Sequence, residues 1–145
     1  MNNRKIGIEL RSLNNLIRRY VDNKLHKKYI DSVTGTNGWI IRYIAEHGDV
    51  YQQDLEREFG ITRSTASKVV GLMVQKGLIE HRSVPGDARL KKLVLTDRAL
   101  ELHKLIESDH EVIEKTLTKG FAEEELDVLC SYLERMKENI LAQSG

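Results

Sequence analysis

The sequence predicts a mainly α-helical chain carrying one small β-hairpin, and three observations predict it. Apolar residues recur at three- and four-residue steps through most of the 145 residues. Only residues 78–95 alternate as strands do, around a Pro85-Gly86 turn. There is a single proline, with 40% hydrophobic and 31% charged residues, a balance that suits helices around an ordinary core. The length fits one domain, or one domain with an extension.

Residues 6–29 form the first expected helix, with Ile6, Leu10, Leu13, Ile17, Val21 and Leu25 as its apolar stripe. Its bases (Arg4, Lys5, Arg11, Arg18, Arg19, Lys24, Lys27, Lys28) cover the remainder as a solvated face, some within reach of phosphates. Residues 31–38 are a loop with Gly35 and Gly38, and Thr36 is placed as N-cap of the next helix. That helix, residues 37–47, carries Trp39, Ile40, Ile41, Ile44 and Ala45 and stops at Gly48.

Residues 52–59 form a short helix with Leu55 and Phe59 inward, and Gly60 suits a left-handed turn. Thr62 caps a second helix over residues 62–76, which Gly77 ends. Strands at 78–84 and 90–95 follow, joined by Pro85-Gly86-Asp87-Ala88-Arg89. This basic hairpin projects as a wing. A long helix over 97–119 carries Ala99, Leu102, Leu105, Ile106, Val112, Ile113 and Leu117, and Lys119-Gly120 closes it. The last helix, 122–142, presents Leu126, Leu129, Leu133, Met136 and Ile140. The terminal stripes exceed what so small a central module can cover, so two copies burying one another's terminal helices is the economical arrangement. The expected division is an N-terminal dimerisation helix at 1–34, a central module of short helices and wing at 35–98 and C-terminal dimerisation helices at 99–145.

The helix at 62–76 is the most informative element. On a wheel of ~100° per residue counted from Arg63, Ala66, Val69, Val70 and Met73 fall between about 240° and 340°. Arg63, Ser64, Ser67, Lys68 and Gly71 fall between about 0° and 140°. One face is small and apolar; the other holds cations, hydroxyls and a glycine, with no acid. Such a face approaches a phosphate-lined groove, and we read it as a DNA-recognition helix. The bland alternative is an ordinary surface helix.

Net charge is only +1, but it is segregated. Residues 61–92 hold seven bases against two acids, while 101–127 hold nine acids against three bases. A basic end beside an acidic one points to a polyanion partner. No apolar run is long enough to span a bilayer, and the first residues do not read as a signal peptide. One cysteine, Cys130, excludes an internal disulfide and fits a reducing cytoplasm; beside the last apolar stripe it is expected to be buried. No nucleophile–base pair or phosphate-cradling glycine loop is visible, so an enzyme is not expected, and no cofactor.

These residues, in order, resemble the MarR family of winged helix-turn-helix transcriptional regulators from end to end. Leu55, Gly60, Thr65 and Ser67 match its helix-turn-helix; Lys76-Gly77-Leu78-Ile79 matches the junction into the wing; Asp87-Ala88-Arg89 with Val94-Leu95-Thr96 matches the wing signature. Departures are Glu56, where a small alanine is usual; Tyr51 in place of a Thr or Ser cap; Ala88 in place of the first of two wing arginines; and Ala99 in place of a glycine.

The resemblance implies a homodimer on a pseudo-palindromic operator in double-stranded DNA, with half-sites ~34–36 Å apart. Arg63, Ser64 and Lys68 are then the base-edge candidates. Gln53, Thr62, Thr65, Ser67, Arg82, Lys91 and Lys92 are phosphate candidates. Arg89 is expected in the minor groove, its guanidinium held by Asp87. The resemblance also implies repression relieved by a small aromatic or lipophilic effector. Trp39 and Tyr43, one turn apart, would line its pocket; the competing reading makes them a core tryptophan and a partly exposed tyrosine. His103, Glu107 and His110 share a helix face at metal-ligand spacing, so a metal-responsive regulator of the same fold is one alternative. A winged-helix module that binds protein rather than DNA is the other.

Overall fold

The computed structural model describes residues 5–24 and 36–144. Among these, the order is α1 (Ile6–Lys24), α2 (Thr36–His47), α3 (Gln52–Phe59), α4 (Arg63–Gln75), β1 (Ile79–Val84), β2 (Asp87–Leu95), α5 (Asp97–Thr118) and α6 (Glu123–Ser144). The expected mainly α architecture with a two-stranded wing is the one observed. Arg4, the expected continuation of α1 over residues 25–29, and the loop from 31 to 35 with Gly35 lie outside the described residues. Thr36 is the first residue of α2 rather than the cap before it.

Two compact units divide within α5: Met1–His110 and Glu111–Gly145. The first holds the core. Ile40, Ile41 and Ile44 of α2 meet Leu55 of α3, Val70 and Met73 of α4, Ile79 of β1, Leu93 and Leu95 of β2, and Ala99 and Ile106 of α5. Ile40 with Ile44, Val70 with Met73, and Ala99 with Ile106 recur at steps of three, four or seven, which bring residues to one face of a helix. Val50 closes the group from outside any helix: its carbonyl accepts from the Leu93 N–H at 2.8 Å, an isolated bridge that ties the α2–α3 connection to the wing.

Local chemistry ends each short helix where the module needs a turn. Gly60 has φ 62°, a conformation costly for any residue with a Cβ. The following Ile61 N–H then reaches back to the Glu56 carbonyl at 3.1 Å. At the other end of α4, the Leu78 N–H bonds the Met73 carbonyl at 2.9 Å and Gly77 bonds Val74 at 3.0 Å, the paired closure of a Schellman motif. Thr96 joins this end to α5. Its hydroxyl donates to the Gly77 carbonyl at 2.6 Å and accepts from the Ala99 N–H at 3.2 Å, while Arg98 Nη1 donates to the Lys76 carbonyl at 2.9 Å.

The terminal helices carry apolar residues that the chain leaves uncovered. On α1, Val21 is buried but Ile6, Leu10, Leu13 and Leu16 are exposed. On α6, Leu129, Met136, Ile140 and Leu141 are exposed, Ile140 by 70%. Cys130 is exposed too, contrary to the expectation of burial. Leu129, Met136 and Ile140 of the stripe it borders are themselves exposed in the single chain, so proximity to that stripe does not bury it.

Candidate nucleic-acid interface

The interface is built from α3, the Gly60 turn, α4 and the hairpin. On α4, Ala66, Val70 and Met73 are buried and Val69 is half-buried, while Arg63, Ser64, Ser67, Lys68 and Gly71 are all exposed. The helix therefore shows solvent the acid-free face that its periodicity predicts. Thr62 caps it: the Thr65 N–H donates to Thr62 Oγ1 at 3.2 Å, and that hydroxyl lies 3.0 Å from Thr65 Oγ1 and 3.2 Å from Ser64 Oγ. No acid stands in the first turn, so the positive end of the helix dipole is not neutralised there. Thr62→Ala is expected to cost about 1 kcal/mol, while Thr62→Ser retains most of it. Denaturant midpoints of the two variants check this.

The wing differs from its sequence-based outline. β2 begins at Asp87, and the turn is only Pro85-Gly86. Gly86, with φ 85°, suits the third position of a type II turn, and Pro85 suits the second. Type II geometry splays a two-residue hairpin. The register accommodates this with a bulge: Val84 faces Asp87 but Ser83 faces Lys91, which leaves residues 88–90 without partners. Arg89 and Leu90 are exposed on this bulge. Asp87 acts on the backbone of Arg89, accepting its N–H at 2.9 Å, rather than on its guanidinium as expected. A carboxylate two residues back reaches the main chain more readily than the far end of a long side chain.

Between α3, the start of α4 and the wing lies an open cleft of about 440 Å³. Gln52, Gln53, Arg63, His81, Arg89 and Lys91 line it, along with Glu56. Four predicted contacts (Gln53, Arg63, Arg89 and Lys91) therefore converge on one concave surface, and Lys68 stands exposed on the helix beside it. No ion pair engages Arg63, Lys68, Arg89 or Lys91 among the described residues, so their charge is available to a ligand. Arg82 and Lys92 are placed otherwise: Arg82 lies 3.7 Å from Glu80, and Lys92 pairs with Asp49 at 2.5 Å. The cleft itself, and the parts of Gln52 and His81 in it, were missed in the sequence. Gln52 sits beside the predicted Gln53 and donates to the Arg63 carbonyl at 3.4 Å. Helix periodicity gives no signal for a contact across the turn.

Trp39 and Tyr43 turn to different neighbours. The Trp39 ring stacks on buried His110, with centroids 3.8 Å apart. Tyr43 stacks on His47 at 4.0 Å and meets Phe59 edge-on at 5.9 Å. Burial, then the Glu58 and Asp54 carboxylates, push the Tyr43 phenol above its usual pKa, so it is neutral at physiological pH. Of the spaced trio on α5, His103 Nε2 lies 3.9 Å from Glu107, while His110 is the residue stacked on Trp39. Among the described residues no group of three His, Cys, Asp or Glu is arranged to hold a metal ion. No helix among them is long and apolar enough to cross a membrane.

Two helices about a tight turn, the second presenting an acid-free face, with a basic hairpin completing a cleft beside it, define a winged helix-turn-helix. A MarR family profile matches residues 31–90. The transcription regulator MarR from Oenococcus oeni PSU-1 is 30% identical, with a TM-score of 0.73 over 92% of this chain and 96% of that one. A putative MarR family transcriptional regulator from Listeria monocytogenes, solved with a 26mer DNA, is 25% identical, with a TM-score of 0.71 over 99% of this chain and 92% of that one. The HTH-type transcriptional regulator YybA of Bacillus subtilis (strain 168) is 23% identical over 137 residues, 94% of this chain and 87% of its own. The chain belongs to the MarR family of DNA-binding transcriptional regulators.

Proposed function

We propose that the chain acts in the cytoplasm as a repressor, a homodimer that binds a pseudo-palindromic operator and is released by a small effector. The observation that carries this reading is the unpaired basic cleft running into the exposed face of α4. Arg63, Ser64 and Lys68 read base edges from the major groove, Arg63 through two parallel bonds to a guanine. Thr62, Thr65 and Ser67 set the register on phosphates, with Gln53 and Lys91 along the cleft wall. Arg82 and Lys92 add charge at the base of the wing, shared with Glu80 and Asp49. Arg89, carried on the bulge, enters the minor groove, where negative potential is concentrated in narrow A/T tracts. Dimerisation is supported by the uncovered apolar residues of α1 and α6, which a second copy would bury.

Release follows from population shift: an effector that favours a recognition-helix separation unlike that of the half-sites lowers operator affinity. Trp39 and Tyr43, both half-buried, are the effector-contact candidates. Selecting fragments of host DNA with the purified protein, then measuring their affinity at two salt concentrations, tests the reading. A small set of enriched fragments with steeply salt-dependent binding supports it; no enrichment refutes it. On such a fragment, Arg89→Ala is expected to weaken binding about threefold to tenfold and to reduce the salt slope by about 1. An unchanged affinity and slope would remove the wing from the interface.

A further inference from the structure

Glu56 is the only carboxylate among the described residues lining the basic cleft, and it is half-buried there. Arg63, Arg89 and Lys91 share that lining, yet among the described residues no ion pair within 4.0 Å joins Glu56 to a base. Its neighbours on α3 are different. Gln52 and Gln53 are neutral, and the Asp54 carboxylate is held by Arg57 at 2.7 Å and by the Tyr51 N–H at 2.9 Å. Glu58, the remaining acid of α3, is exposed outside the cleft lining, so among the described residues Glu56 is the one carboxylate, itself without an ion pair, that the cleft presents to whatever enters. In a partly desolvated concavity that charge is screened less than it would be on open surface. A small uncharged residue would fit the same helix without this penalty.

Resting on the DNA-binding reading of the cleft, we propose that Glu56 is an electrostatic brake on backbone binding. The first helix of such a module faces the sugar–phosphate backbone rather than base edges. A carboxylate at this place repels every phosphate path alike, whatever the sequence. It subtracts from the sequence-independent part of the affinity and leaves the base-edge contacts of α4 intact. Occupancy of arbitrary DNA falls, and the protein holds only sites where base contacts supply the remainder.

The test uses the full chain and a labelled duplex of randomised sequence at low and high salt, with a selected genomic fragment in parallel. Glu56→Gln keeps the side chain's size and removes its charge. It is expected to bind both duplexes about fivefold more tightly at low salt, with the advantage shrinking as salt rises. Glu56→Ala should move in the same direction, which keeps the test open if the glutamine variant folds poorly by thermal melting. Arg89→Ala serves as the reference for the cleft. Unchanged binding by both Glu56 variants while Arg89→Ala weakens it would overturn the brake alone. A loss confined to the selected fragment would also overturn it, since Glu56 would then be accepting a bond from a base. If the wild type and Arg89→Ala bind equally weakly without salt dependence, the DNA reading of the cleft fails with it.

Discussion

Truncating Leu55 to alanine is expected to lower the unfolding free energy by about 2–5 kcal/mol, a large share of the total for a chain of this size. Leu55 is fully buried and sits in the cluster shared by α2, α3, α4, both strands and α5. The void left by its side chain is lined from several elements, so no single one can collapse to fill it. Leu55→Met, which nearly conserves volume, should cost less than about 1.5 kcal/mol. Urea midpoints at one fixed protein concentration check both, because self-association would otherwise shift them. A loss below 1 kcal/mol for alanine, as a rough threshold, would mean that α3 is not held by this core.

Arg63→Ala is expected to weaken binding to a selected fragment by roughly tenfold to a hundredfold, the equivalent of about 1–3 kcal/mol. The loss should be accompanied by relaxed preference at one base position. Arg63 is exposed at the first turn of α4, lines the cleft and is free of intramolecular ion pairs among the described residues. Its backbone carbonyl is anchored by Gln52, so the side chain starts from a defined position. Titrating the variant against fragments substituted one base at a time separates base reading from phosphate contact. A uniform loss across all substitutions would move Arg63 to the phosphate group.

Much of this interface was legible because it is local. The period of Ala66, Val70 and Met73 names the buried side of α4 and so, by exclusion, the exposed one. The Gly60 turn and the Thr62 cap follow from bonds that span only a few residues. The wing was legible as a hairpin but not in its register. A bulge over residues 88–90 depends on how the two strands pair across the turn, and no single strand's alternation encodes it. Asp87 and Arg89 were found as a pair, yet their bond runs to the backbone, because the bulge brings the Arg89 N–H to the carboxylate. The uncovered state of Cys130 was not legible either: a helical stripe says which residues share a face, not whether anything covers that face.

The sequence by itself determined the elements, their inward faces and the sign of charge on the recognition helix. These rest on hydrogen bonds and side-chain periods within a turn or two of chain. Only the tertiary structure decided which charges remain available. Asp49 reaches Lys92 across the chain, while Arg63, Arg89 and Lys91 meet around one cleft with Glu56 among them. Charge pairing and concavity arise when distant segments dock, and docking is set by the shared core around Leu55, which no local pattern describes.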